Sequence, residues 1–332
     1  MWSLVVTALA APLARRAALR LATAGAAFPS GASAWCGNPF PPFAYSLPWF
    51  EFDASGCEIR IIGDLQPEVD KGLRPLVAVP SLGLSFEYLE NLEALTITQR
   101  RVGFVALPAS DSAERLTQAL VAALGSLDAK RGVHLLAHGL AAPVALAAAA
   151  AAPPGTVASL ILTSPVGCLS DVDPAFHEAL AASPAPLLAT AAAQGRVCVD
   201  AAVDAARKSP ASAVAAAQRL LRGDQSHLTS ISELVAATGA SGVPTPLLLT
   251  RGDCGDVTSA PAMRAMVSAA RARADGSSFV RFASFARSGP LPFVDEGEAF
   301  GASVLDFCDA VDGVTTRRVV VAGGDQRIAG RI

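Results

Sequence analysis

Short, mostly apolar runs recur along this chain, and helical periodicity fills the gaps between them. The runs are Leu76–Val79, Val102–Leu107, Val133–Ala137, Val157–Leu162, Pro246–Thr250 and Phe279–Phe282. A strand with one face in water alternates apolar and polar side chains. A run without alternation fits a strand buried on both faces, as in a parallel sheet covered above and below by helices. Glu58-Ile-Arg-Ile-Ile62 does alternate and reads as an edge strand. Between the runs, Ser112–Leu127 places Leu116, Leu120, Val121 and Leu124 close to a 3.6-residue period. Leu140–Ala152, Ala260–Ala274 and Glu296–Val311 are three further helical patterns. Strand followed by helix, repeated, predicts an α/β fold: a mostly parallel sheet of about eight strands with right-handed crossovers, flanked by helices.

The alternation divides the chain. Residues 58–164 and 243–312 carry the strand and helix repeats and form the predicted core. Between them, in 165–242, the strand signal stops. Ala175–Ala182 and Ala211–Leu221 look helical there, broken by Pro184, Pro186 and Pro210, and a helical cap insertion fits. Residues 36–57, rich in proline and aromatics, read as a linker. Residues 313–332 form a C-terminal tail whose Arg317–Ala322 stretch is either an added strand or a flexible end. The first 35 residues read as a leader. They contain Arg15, Arg16 and Arg20, and the first carboxylate of the chain is Glu51. Arginines after an apolar run, without acids, suit an organelle transit peptide for a mitochondrion or plastid better than a secretory signal. A leader followed by a second targeting segment is a third option. Arg15 interrupts the apolar run before it is long enough to span a bilayer, so no transmembrane helix is expected.

Composition narrows the chemistry. The net charge is −3 with 17% charged residues and no basic block after the leader, which argues against a nucleic-acid partner. The six cysteines are widely separated and form no C-x-x-C, so neither a zinc site nor a disulfide framework is expected. No G-x-x-x-x-G-K-[ST] occurs, and Val321–Asp325 lacks the spacing of a nucleotide loop. No cofactor and no metal are therefore expected.

One segment carries the functional reading. Val133-His-Leu-Leu-Ala-His-Gly-Leu-Ala-Ala-Pro-Val-Ala-Leu146 runs from a strand into an alanine-rich helix with only small residues around the turn. This resembles the nucleophile elbow of α/β hydrolases, a strand, a G-x-S-x-G turn and a helix. The resemblance extends from about residue 58 to 312 and is nearest the proline iminopeptidase-like branch. Gly83-Leu-Ser-Phe-Glu-Tyr-Leu-Glu-Asn-Leu-Glu-Ala-Leu95 is similar to the segment after that branch's oxyanion loop. The loop itself reads Val79-Pro-Ser-Leu-Gly83, in which Pro80 has no N–H to donate.

The resemblance implies a catalytic triad whose three positions hold other residues here. The nucleophilic serine falls at Gly139. The acid, carried by Val243–Asp256, falls at Gly255, with Asp253 and Asp256 close enough to take its place after a slip of one or two residues. The histidine falls at Pro290, in Phe285-Ala-Arg-Ser-Gly-Pro-Leu-Pro-Phe293. The four histidines are His134, His138, His177 and His227, so none follows the last strand. A serine nucleophile needs a base within hydrogen-bond reach. No intact catalytic residue is therefore expected, and Ser81, Leu82, His138 and Leu140 remain as candidate pocket residues. His134 reads as a satisfied core histidine. The first reading is a non-catalytic hydrolase-fold protein with a binding or structural role, with protein partners in an organellar assembly. The alternatives are an active hydrolase using relocated residues, such as Ser81 with His138 as base, and a non-hydrolase enzyme exploiting the old pocket.

Overall fold

The computed structural model describes residues 49–62, 73–84, 89, 92, 100–127, 129, 131–177, 211–222, 230–239, 245–273 and 279–314. The strands are β1 (Trp49–Ala54), β2 (Cys57–Ile62), β3 (Leu76–Val79), β4 (Val102–Ala106), β5 (Val133–His138), β6 (Val157–Thr163), β7 (Leu247–Gly252) and β8 (Val280–Phe285). They form one eight-stranded sheet in the order β1-β2-β4-β3-β5-β6-β7-β8. The β1/β2 and β2/β4 pairs are antiparallel and every other pair is parallel. The runs of β3 to β7 therefore lie largely buried inside the sheet, β8 is an edge strand with Arg281 and Ser284 exposed, and β5 is central.

The helices of eight or more residues are α1 (Ala113–Ser126), α2 (Ala142–Ala151), α3 (Ala211–Arg222), α4 (Ile231–Gly239), α5 (Ala260–Arg273) and α6 (Gly297–Asp312). One face of the sheet packs Leu76, Phe104, Leu136, Ile161 and Leu248 against Phe300, Val304 and Phe307 of α6. The other packs Val77, Val105, Leu135, Leu160 and Leu249 against α1, α2, α4 and α5. Adjacent residues of one strand thus point into opposite layers, so most positions in these runs are apolar, and the buried exceptions His134 and Ser159 bond each other. The alanines of α2 let it lie flat on the sheet, with Ala142, Ala145 and Ala148 fully buried. The Ser112 side chain caps the start of α1 by accepting from the Arg115 N–H.

Two expected boundaries change. The linker does not reach residue 57, because Trp49–Ala54 is a strand, and Glu58–Ile62 is consequently not the edge. The hairpin turn joining β1 and β2 is Ser55-Gly56, with φ of 54° and 79°. Positive φ at both central residues is the turn whose twist matches paired strands. Within 165–242, Ala211–Arg222 is helical as its pattern suggests, Ile231–Gly239 packs in the layer of α2 and α5 on the sheet, and most of Ala175–Ala182 lies outside the described residues. The leader, residues 36–48 and the tail beyond Val314 lie outside the described residues.

Candidate functional site

The loops that follow β3, β5, β6, β7 and β8 gather at the carboxyl ends of the parallel strands, where open α/β sheets place their sites. At the centre, β5 ends at His138 and the chain turns through Gly139–Ala141 into α2. Gly139 has φ +54°, a left-handed conformation at a sharp strand-to-helix turn. A Cβ on Gly139 would stand 2.7 Å from the Ser81 Oγ and 3.2 Å from its Cβ. The space a nucleophile would occupy is filled from the neighbouring loop.

Ser81 is also bonded there. Its Oγ accepts from the Leu140 N–H at 3.1 Å. In a nucleophile elbow, the N–H of the residue after the nucleophile is one donor of the oxyanion hole. Here that donor is spent on a side chain. Gly83, with φ +80°, lets the loop turn back so that the Leu84 N–H reaches the Ser81 carbonyl at 3.0 Å. A cavity of about 20 Å³, room for a single water molecule, lies beside this loop. Ser81 and Leu82 line it with Pro108, Leu116 and Ala217. His138 and Leu140 do not line it.

His138 is buried at the end of β5. Its Nε2 lies 2.9 Å from the Pro290 carbonyl, which makes Nε2 the protonated nitrogen. The Phe293 ring meets it edge-on at 5.4 Å between centroids. Burial pushes its pKa down to about 4, only partly offset by the Pro290 bond. The histidine is therefore a neutral donor at neutral pH.

Beside Gly255, the position to which the resemblance assigns the acid, a carboxylate is buried. Gly255 itself forms a turn with φ +79°. The next residue, Asp256, is buried, and three donors converge on its carboxylate. They are the Gly252 N–H at 2.7 Å, the Thr258 N–H at 2.9 Å and the Ser164 hydroxyl at 2.8 Å. Burial raises its pKa to about 6 against these hydrogen bonds. The Ser164 Oγ is also 3.2 Å from the Pro290 carbonyl. Asp256 and the backbone of Pro290 thus share one hydroxyl. Asp253, by contrast, is half exposed beside Arg251.

A second Ser–His–Asp grouping lies at the opposite end of the sheet. Ser159 Oγ is 2.7 Å from His134 Nδ1, and His134 Nε2 is 3.3 Å from the Asp312 carboxylate. Ser159 and His134 have no exposed surface, so no substrate reaches them and the group is structural. Asp312 also pairs with Arg74 and Arg100, and Asp309 pairs with Arg100. Burial pushes the Asp312 carboxyl up, but bonds from His134, Arg100 and Arg74 outweigh it and hold it well below the usual range. Sequence reasoning found His134 as a core histidine but not its partners, which come from distant segments. No group of three metal-ligating side chains exists among the described residues, and no helix among them is long and apolar enough to cross a membrane.

Comparison with solved structures places this architecture. A hydrolase of Pseudomonas aeruginosa superposes with a TM-score of 0.55 at 18% identity, covering 79% of this chain and 98% of that one. Carboxylesterase CesB of Bacillus subtilis gives 0.56 at 14% identity, covering 83% and 94%. A hydrolase of Oleispira antarctica gives 0.56 at 12% identity, covering 76% and 94%. No protein-family model and no curated protein matches the sequence. The chain has the α/β-hydrolase fold.

Proposed function

We propose that this chain is a non-catalytic protein on the α/β-hydrolase scaffold, derived from a proline iminopeptidase-like ancestor, with a binding or structural role toward protein partners in an organelle. The observation that carries this reading is the Gly139–Ser81 contact. The elbow offers no nucleophilic atom, and the Ser81 hydroxyl takes the Leu140 N–H that would face a developing oxyanion. Pro290 adds to it, since its position offers a carbonyl rather than an imidazole. Losing Ser or His from such a triad costs on the order of 10⁶ in kcat.

The purified chain is expected to turn over neither esters nor aminoacyl amides above a heat-killed control, and to resist fluorophosphonate labelling. Gly139→Ser alone is expected to stay silent, because no base faces it and its Cβ meets Ser81. Adding Ser81→Gly clears that overlap, and the double variant is expected to be more stable than Gly139→Ser. Stoichiometric labelling of the wild-type chain, mapped to Ser81 or another serine, would falsify the non-catalytic reading and establish the relocated-site alternative.

The organellar part of the reading rests on the arginines and missing acids of the leader. A fluorescent fusion of residues 1–50 is expected in a mitochondrion or plastid. Diffuse cytosolic fluorescence would remove the organelle from the proposal and leave the site reading intact.

A further inference from the structure

Ser164 has one hydroxyl proton and two acceptors within reach. Asp256 Oδ2 lies at 2.8 Å and the Pro290 carbonyl at 3.2 Å. The residue is fully buried and is held at φ +46° at the top of β6, with its N–H tied to the Thr250 carbonyl at 2.9 Å. A non-glycine residue in that conformation is uncommon and costs energy that the surroundings must offset. The hydroxyl is thereby aimed at the gap between the β7 turn and the loop after β8.

We propose that the Ser164 hydroxyl is a two-position proton switch that couples the charge of Asp256 to the loop over the elbow. With Asp256 ionised, Ser164 donates to its Oδ2, and Pro290 receives only the His138 N–H. With Asp256 protonated on Oδ2, the carboxyl donates to the Ser164 Oγ, and Ser164 turns its own proton to the Pro290 carbonyl. One proton enters from solvent, no covalent bond changes, and every buried polar group keeps a partner in both states. The Gly252 N–H stays on Oδ2 and the Thr258 N–H on Oδ1 throughout.

The surrounding charges set where the switch acts. Arg251 is the charge that favours the ionised form of Asp256, and it is balanced by its own neighbour Asp253 at 3.8 Å. Asp171 is turned away, accepting from Gly167, Cys168, Ser230 and Ile231. Loop 286–291 is held from its far side by Asp295, which accepts the Gly289 N–H, and by Glu296, which accepts from Arg287 and Ser288. Burial raises Asp295 to about 7. The same loop is therefore tied at Gly289 directly, and at Pro290 through the Ser164 hydroxyl, to carboxyl groups whose pKa burial raises. His138 changes charge only near 4 and stays a donor above that.

The test is carbonyl and amide NMR on the full chain, with proline labelled at its carbonyl carbon, between about pH 5 and about pH 8. In the wild type, the Pro290 carbonyl carbon and the Gly252 amide are expected to shift together, with a midpoint near 6. In Ser164→Gly, which also relieves the positive φ, the Gly252 amide is expected to keep its step while the Pro290 carbonyl loses its own. Ser164→Ala serves as the second hydroxyl deletion, and Asp256→Asn is expected to remove both steps. A Pro290 carbonyl that stays flat in the wild type, or that still titrates near 6 without the Ser164 hydroxyl, overturns the switch. Absence of any Gly252 step overturns it as well, because Asp256 then holds one charge state throughout.

Discussion

Gly252→Ala is expected to abolish soluble folded protein. A Cβ at this last residue of β7 would stand 2.1 Å from the Gly289 carbonyl oxygen and 2.2 Å from that of Ser288. Both obstacles are backbone, and neither can move freely. The Ser288 carbonyl accepts the Cys254 N–H at 2.9 Å, and the Gly289 N–H is bonded to Asp295 at 2.9 Å. The Gly252 N–H is itself engaged by Asp256. Relief would require lifting the loop after β8 off the end of β7, which also releases Pro290 from Ser164 and His138. Overpacking a tight core commonly costs about 1–3 kcal/mol, but with fixed backbone on both sides we expect about 4 kcal/mol or more. Expression and denaturant unfolding check this. A variant with the wild-type midpoint would show that the two segments are less closely packed than described.

Arg100→Met is expected to destabilise the chain by about 3–5 kcal/mol, the usual cost of removing one partner of a buried ion pair. The Arg100 side chain is 1% exposed and bonds Asp309 and Asp312 at 2.8 Å each. It also donates to the Arg74 carbonyl at 2.5 Å. Methionine fills similar space but removes the guanidinium shared by the buried Asp312 and the partly exposed Asp309. Arg74 already binds Asp312. Because the cluster ties the end of α6 to the starts of β3, β4 and β5, loss of protection from hydrogen exchange is expected first in the last turns of α6. The exposed Arg219–Asp111 pair provides the contrast, with side chains 45% and 40% exposed. Arg219→Ala is expected to cost under about 1 kcal/mol. Equal effects of the two substitutions would refute the assignment of Arg100 as a buried anchor.

The layers of this fold were legible because the central strands are apolar on both faces over most of their length, as in Leu76–Val79 and Leu160–Leu162. Trp49–Ala54 was missed. Its Phe50 and Phe52 follow Pro39, Pro41, Pro42 and Pro48, and the proline density outweighed the alternation and the Ser55-Gly56 turn that closes the hairpin. The elbow at Gly139 was legible for a local reason, since strand, small residues and helix all lie in one segment. What fills it was not. Ser81 is 59 positions from Leu140, Ser164 is 92 from Asp256, and Ser164 is 126 from Pro290. Those contacts exist only once β3, β5, β6, β7 and β8 lie side by side. Gly255 shows the same limit from the other direction. The sequence offers Asp253 and Asp256 alike as neighbours of that position, and only the fold separates them by turning Asp256 inward and leaving Asp253 half exposed.

The Ser81–Gly139 contact also couples the two positions in any change of sequence. A side chain placed at residue 139 collides with Ser81 while Ser81 is present. Removing the Ser81 hydroxyl first strands the buried Leu140 N–H, at about 1–3 kcal/mol. Each single step is thus unfavourable on its own, and only the pair together restores an open elbow. Sites coupled by direct contact are where mutational effects cease to add. The two positions are therefore interlocked: a side chain at 139 needs the Ser81 hydroxyl removed, and removing that hydroxyl alone leaves a buried N–H without its acceptor, so neither can change favourably without the other.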